Sequence, residues 1–293
     1  MKEPPFALHE AAVAIVGLGL MGGSLALALR TKDACRKIIG ITRSATTCRA
    51  ALERGSVDVA GTELALASEA DVIILATPVR TILNQIPQVG QIAREGAIVL
   101  DLGSTKRAIV QAMEALPPYV EPIGGHPMCG KETFGFDAAE AGLYRNATFV
   151  LAPLARTSAS TLALAESLAR AIDARPFVLD AKRHDQIVAL TSHLPFALAS
   201  TLMTTVGEMA HADALVYGLA ASGLRDTTRL AAGDTTMMLD ILMTNRENVS
   251  RAVRLCAHHL NQLADRIAAG DELELRSLLQ SAAARRRTLK FEL

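Results

Sequence analysis

The chain has 293 residues, half of them hydrophobic, 3% aromatic and none tryptophan; such a length and composition support a sizeable core in two domains and exclude a disordered tail. The 30 basic side chains balance 30 acidic ones, so no global field draws in nucleic acid or an anionic membrane surface, and small molecules are the expected partners. No apolar run is read as reaching the roughly 18 residues of a membrane span, and the start Met-Lys-Glu-Pro-Pro lacks a signal peptide's apolar core, which makes a cytoplasmic location the expectation. Cys35, Cys48, Cys129 and Cys256 show neither C-x-x-C spacing nor a nearby histidine pattern, so they read as reduced and structural, and no metal site is expected.

In chain order, Val13-Ala-Ile-Val-Gly-Leu-Gly-Leu-Met-Gly-Gly-Ser24 is an apolar strand, a glycine turn and the opening of a helix over Leu20–Arg30. That arrangement sets a dinucleotide pyrophosphate at a helix N-terminus: Gly17 permits the tight turn, Gly19 the approach of phosphate, and Gly22 the packing of helix on strand. The helix-opening residues Leu20 and Met21 join these glycines as cofactor contacts. The alternative is a structural turn with no ligand.

Next come a strand at Lys37–Ile41, a helix at Thr46–Arg54, and an apolar strand at Asp71–Ala76 that ends at Thr77-Pro78, with Thr77 counted among the cofactor residues. An NAD-selective site usually ends its second strand in Asp or Glu, which accepts hydrogen bonds from the ribose 2′-hydroxyl. Here Ile41 runs instead into Thr42-Arg43-Ser44-Ala45-Thr46-Thr47. A guanidinium and several hydroxyls, from Thr42, Arg43, Ser44 and Thr47, suit a 2′-phosphate and predict NADP as the cofactor. A solvated loop arginine is the plain alternative.

The alternation continues through the amphipathic segment Arg80–Ala93, a strand at Ala97–Asp101, a helix at Lys106–Leu116, and a strand into Ile123-Gly124-Gly125. Strands at Ala147–Leu151 and Pro176–Leu179 flank a helix at Ser158–Ala171. The fold class is therefore α/β, a Rossmann-type doubly wound parallel sheet with ligands beyond the C-terminal strand ends. From Ala181 onward strand signals vanish, and helical periodicity runs through His184–Val206, Met237–Ala269 and Glu272–Leu289. The domains are thus 1–180 for the dinucleotide and 181–293 for an all-helical substrate and dimerisation half. Long helices rich in Leu, Ala, Ile, Val and Met predict a homodimer.

Two segments stand at strand ends facing the cofactor: Asp101-Leu-Gly-Ser-Thr-Lys106 and Gly124-Gly-His-Pro-Met-Cys-Gly130. His126, with paired glycines before it and Pro127 restraining its backbone, suits a general base, provided that Ser104 holds one ring nitrogen and leaves the other free for a substrate hydroxyl. A structural histidine is the alternative. In the helical half, Ser192-His193-Leu194-Pro195 interrupts a helix, and Arg225 and Arg229 lie one turn apart, which suits a dicarboxylate unless they are a surface pair with Asp226 bound to a neighbour.

Together, in one order, Gly-Leu-Gly-Leu-Met-Gly-Gly-Ser, Asp-x-Gly-Ser-x-Lys, Gly-Gly-His-Pro-Met-x-Gly, His-Asp, Ser-His-Leu-Pro and Gly-x-Arg-Asp-Thr-x-Arg resemble the prephenate/arogenate dehydrogenase family, over Val13 to about Leu263. The likeness is strongest to the cyanobacterial-type arogenate dehydrogenases, which use NADP. The resemblance implies oxidative decarboxylation: hydride leaves the ring carbon bearing the hydroxyl, carbon dioxide departs, and arogenate becomes tyrosine. It implies His126 as the catalytic histidine, Ser104 as the serine that orients it, Arg229 on the ring carboxylate, His193 and Arg225 around the pocket or dimer contact, and Asp226 steadying the arginine segment. Prephenate or dual-specificity cyclohexadienyl dehydrogenase activity is the alternative.

The sequence departs from the family pattern at three positions. Phe196 stands where many prephenate-using relatives carry a second histidine, Cys129 replaces the usual Ala, and Lys131 a small residue. More distant rivals are a β-hydroxyacid dehydrogenase, whose catalytic lysine Lys182 and Lys106 do not convincingly supply, and an NADP-sensing protein without turnover.

Overall fold

A computed structural model describes residues 6–131 and 133–289, so the start Met-Lys-Glu-Pro-Pro lies outside the described residues. The first half alternates β1 (Ala12–Val16), α1 (Leu20–Thr31), β2 (Lys37–Ile41), α2 (Ala45–Glu53), β3 (Val59–Gly61), β4 (Val72–Leu75), α3 (Val79–Ile92), β5 (Ile98–Asp101), α4 (Arg107–Met113), β6 (Glu121–Pro127), β7 (Thr148–Pro153), α5 (Ala159–Ala171) and β8 (Arg175–Val178). β1, β4 and β5 are buried throughout, as continuous apolar runs covered on both faces must be.

The eight strands lie in the order β3-β2-β1-β4-β5-β6-β7-β8. The order reverses between β1 and β4, which opens a crevice at their C-terminal ends. One strand breaks the expected parallel pattern: β7 runs antiparallel to β6. Among the described residues between them there is no crossover helix, and the chain returns in the opposite direction. The short β3 was not expected, because three residues ending in glycine carry no periodicity to read.

The second half is helical: α6 (Ala181–Val188), a π turn (Ala189–His193), α7 (Leu194–Ala212), α8 (Leu215–Gly218), α9 (Ser222–Thr228), a 3-10 turn (Arg229–Ala232), α10 (Thr235–Thr244), α11 (Arg246–Ala269) and α12 (Glu272–Thr288). Ser192-His193-Leu194-Pro195 widens the helix by a π turn instead of breaking it, since Pro195 sits in the first turn of α7, where a missing N–H costs nothing. The expected helix over Met237–Ala269 divides at Asn245, with α10 before it and α11 after.

The expectation that no apolar stretch reaches spanning length does not hold. Over Ala181–Ala212 the best window has a mean hydropathy of 1.4, enough by length and composition alone to cross a membrane, with 22% of that window buried. The same stretch carries His184 and Asp185, each 1% exposed and bonded to protein groups. Its apolar character belongs to a wider surface: Leu190, Met209, Leu219, Leu255, Leu260 and Ile267 are all more than half exposed. A helical half that buries so little of its own apolar surface presents a face for a partner.

The glycine turn gives the fold's sharpest steric constraint. A Cβ on Gly22 would lie 1.9 Å from the Gly17 carbonyl oxygen and 3.1 Å from the Ala76 side chain. Gly22→Ala is expected to push α1 off the sheet and lower the melting temperature, measured by circular dichroism; an unchanged melting temperature would contradict this packing role.

Candidate active site

At the crevice, Gly17 has φ +102°, a conformation that other residues rarely adopt, and donates its N–H to the Ile41 carbonyl at 2.7 Å. Around Gly19, which precedes α1, a Cβ would meet nothing within 4 Å, and no side chain caps the helix start. The first helical amides, at Leu20, Met21 and Gly22, therefore face open space at the positive end of a helix. This is the cradle that a dinucleotide pyrophosphate requires, and the residues present fit the group.

At the end of β2, Arg43 is exposed, with no carboxylate in salt-bridge range among the described residues. Ser44 has a structural duty: its hydroxyl caps α2 by accepting from the Thr47 amide at 3.1 Å and lies 2.6 Å from the Thr46 hydroxyl. The Thr77 hydroxyl donates to Gln85 at 2.7 Å. Of Thr42, Arg43, Ser44 and Thr47, Ser44 is thus partly committed to holding the loop.

His126 lies within β6, one residue deeper in the sheet than a loop position. Its paired glycines serve the protein: a Cβ on Gly125 would stand 2.5 Å from the Asp101 carbonyl, so that glycine admits the neighbouring strand. The partner expected for the imidazole was Ser104. No hydrogen bond joins them; His126 Nδ1 lies 2.8 Å from Nε2 of His184, with the rings edge to face at 5.0 Å between centroids. His184 Nδ1 donates in turn to Asp185 Oδ1 at 2.8 Å. Burial pushes the His126 imidazole well below its ordinary value, and the facing His184, Lys106 and His193 push the same way. At neutral pH His126 is uncharged.

Asp185 holds more than the histidine. It accepts from the backbone N–H of Lys106 at 2.7 Å and of Arg107 at 3.0 Å, capping α4 from the helical half. Asn245 Nδ2 donates to the Asp185 carbonyl at 2.7 Å and lies 3.3 Å from His193 Nδ1. His193 is buried, which lowers its imidazole to about 4, a fall that Asp185 opposes and His184 reinforces. Thr105 and Thr244 hydroxyls meet at 2.9 Å across the same seam.

Under this cluster lies the wholly buried ion pair of Lys106 and Asp101. Lys106 Nζ also donates to the Gly125 carbonyl at 2.6 Å, while the Asp101 carboxylate accepts from the Gly103 and Gly125 amides at 2.7 and 3.1 Å. Burial pushes the carboxyl up and the ammonium down; their mutual attraction, with the amide donors at the carboxylate, opposes both shifts.

The arginine segment lies on the 3-10 turn and α9, which pack against α7. Arg225 and Asp226 pair with each other at 2.9 Å, 76% and 68% exposed, as in the plainer of the two readings. Arg229 begins the 3-10 turn, so the two arginines do not share one continuous helix. Lys131 pairs with Glu140 at 2.6 Å, and Cys129 packs against the core, where burial raises its thiol to about 12. Phe196 is half-buried in the first turn of α7. Among the described residues no group of three His, Cys, Asp or Glu could hold a metal.

Residues 25–178 match the model of the prephenate dehydrogenase nucleotide-binding domain, and residues 180–281 that of the prephenate dehydrogenase dimerization domain. A prephenate dehydrogenase of Lactococcus lactis is 32% identical over 95% of this chain and 77% of its own length. The crystal structure of a prephenate dehydrogenase from A. aeolicus, in complex with hydroxyphenyl propionate and NAD+, superposes with a TM-score of 0.90 at 29% identity, over 99% of this chain and 100% of that one. The Synechocystis arogenate dehydrogenase structure matches with a TM-score of 0.81 at 33% identity, over 94% and 99% of the two chains.

Sequence reasoning missed Asp101, Lys106, Asp185 and Asn245 as members of this network, and gave His184 no role. The adjacent His-Asp pair was the one signal available. Lys106→Met leaves Asp101 buried without its partner and is expected to cost about 3–5 kcal/mol; chemical denaturation would measure it, and wild-type stability would contradict the pairing.

Proposed function

Since the chain belongs to the prephenate dehydrogenase family, we propose that it is the NADP-dependent oxidoreductase that converts arogenate to tyrosine by oxidative decarboxylation. The observation that carries the reading of the chemistry is the His126 imidazole: uncharged, part-exposed, with one ring nitrogen engaged by His184. Its other nitrogen is left to accept the proton of a substrate hydroxyl. A bound oxidised nicotinamide would take up the hydride from the carbon bearing that hydroxyl.

The glycine turn holds the pyrophosphate on the amides of Leu20, Met21 and Gly22, with Gly17 and Gly19 shaping the approach. NADP is supported by the absence of a carboxylate at the end of β2 and by the exposed Arg43 beside the hydroxyls of Thr42, Ser44 and Thr47. Thr77 lines the same crevice. Arg229 binds the ring carboxylate in this reading, with His193 and Arg225 near the pocket or the contact between copies. Ser104, at the end of β5, faces the reacting hydroxyl or the cofactor; orienting His126 falls to His184.

Arogenate is supported by Phe196, which removes a polar contact available to many prephenate users, and by the likeness to a cyanobacterial arogenate dehydrogenase. A second reading, prephenate oxidation with NAD, is favoured by the higher TM-score to a prephenate dehydrogenase whose structure holds NAD+. The exposed apolar face of the helical half, with a matched dimerization domain, supports a homodimer, and a cytoplasmic location suits a small-molecule enzyme of this kind.

An absorbance assay offering arogenate and prephenate, each with NADP and with NAD, is expected to give the highest kcat/KM for arogenate with NADP; a preference for prephenate with NAD would move the assignment to the second reading. His126→Asn is expected to abolish turnover while cofactor binding persists. Normal turnover would remove it from the chemistry. Arg229→Ala is expected to raise the substrate KM roughly 10-fold or more, because the carboxylate loses a charge-assisted hydrogen bond; an unchanged KM would take Arg229 out of the site. Sedimentation is expected to give twice the chain mass, and a monomer would contradict the dimer.

A further inference from the structure

We propose that His184 and Asp185 form a buried relay that fixes which nitrogen of His126 acts as the base and shares the proton it takes up. The inference rests on the reading of His126 as that base. It begins with hydrogen-bond accounting. Asp185 is 1% exposed and its Oδ1 takes the Lys106 N–H, while Oδ2 takes the Arg107 N–H. A carboxylate so placed accepts only, so the 2.8 Å contact from His184 Nδ1 is an N–H donating to Oδ1.

Neutral His184 then carries its proton on Nδ1 and turns a lone pair, on Nε2, toward His126. The 2.8 Å contact there requires His126 Nδ1 to be the donor. It follows that neutral His126 has its lone pair on Nε2, the one ring nitrogen available to substrate. The tautomer of the base is set by a carboxylate two hydrogen bonds away. Ser104, without a bond to the ring, does not set it.

The relay also acts during the reaction. When the substrate O–H bond breaks and its proton joins His126 Nε2, the imidazolium Nδ1–H strengthens its bond to His184 Nε2, and Asp185 stabilises the charge through His184 Nδ1–H. The proton on His126 later returns to the phenolate oxygen of the aromatised product, so the protein ends the cycle as it began. The groups facing this pair are Lys106 and His193, both toward His126, with Asp185 behind His184 and Asp101 neutralising Lys106. As positive charges His184, Lys106 and His193 disfavour the imidazolium; a neutral His184 that accepts from His126 Nδ1, backed by Asp185, opposes them, as does Asp101 through Lys106. The acid limb of kcat/KM reports protonation of His126 with its hydrogen-bonded neighbours in place.

The test compares His184→Gln and His184→Leu in the full-length enzyme with the cofactor and substrate of highest kcat/KM. A glutamine carbonyl can still accept from His126 Nδ1, so His184→Gln keeps the tautomer but cannot take a share of the proton. Leucine does neither. His184→Leu is expected to lower kcat on the order of 100-fold or more, the scale of a misdirected general base, with KM and cofactor affinity little changed. His184→Gln is expected to recover much of that loss and to move the acid limb to lower pH. A merely structural histidine would leave the acid limb in place.

Wild-type kcat in His184→Leu, or an acid limb that does not move in His184→Gln, would overturn the relay. Should His184→Leu fail to fold, His184→Gln alone decides by its acid limb. The outcome is separable from that of the base itself: an active His126→Asn enzyme sinks the reading of the base, whereas an inactive His126→Asn enzyme beside an unaffected His184→Gln enzyme sinks the relay only.

Discussion

One carboxylate organises this molecule. Asp185 belongs to the helical half, yet two of the donors it satisfies are backbone amides at the start of α4 in the sheet domain. A third is the ring of His184, which carries the constraint to His126 on β6. The seam between the halves and the orientation of the His126 ring are therefore set by a single buried group. Asp240 repeats the device at a smaller scale, accepting from the Arg80 amide in the first turn of α3 at 3.1 Å. Carboxylates reaching across to helix N-termini meet orphan donors and the positive end of the dipole together.

Beneath the seam, the Lys106–Asp101 pair locks the end of β5 to β6. Its hydrogen bonds run to the backbone of Gly125, the residue before His126, so the pair positions the strand as well as neutralising itself. Two charges without solvent are costly, and this pair is supported by further hydrogen bonds to backbone groups on both sides, the condition under which a buried pair persists. The chain's Asp-x-Gly-Ser-x-Lys segment is thus largely an anchor. Only Ser104, part-exposed at its centre, is left for ligand.

The glycine turn was legible in full because each glycine answers a local constraint: a positive φ at Gly17, open space at Gly19 and backbone contact at Gly22. Strands with continuous apolar runs were legible for the same reason, whereas β3 and the direction of β7 depend on what the chain meets after folding. His126 was singled out by its residue type and neighbours. Its true partner was not, since His184 lies 58 positions away and nothing local tells which hydroxyl or imidazole will arrive. The spacing of Arg225 and Arg229 placed them one turn apart, and what it did not reveal is the change from α to 3-10 geometry at Arg229. Helical periodicity gave the second half its helical class but not which of its apolar residues are covered, because an exposed apolar helix face has the same pattern as a core.

The account turns on the protonation of two neighbouring rings, which nitrogen NMR of histidine-labelled protein observes directly. At neutral pH the ring nitrogens of His126 are predicted to show a proton on Nδ1 and none on Nε2, with His184 likewise protonated on Nδ1. A His126 ring protonated on Nε2, its lone pair turned inward toward His184, would contradict it.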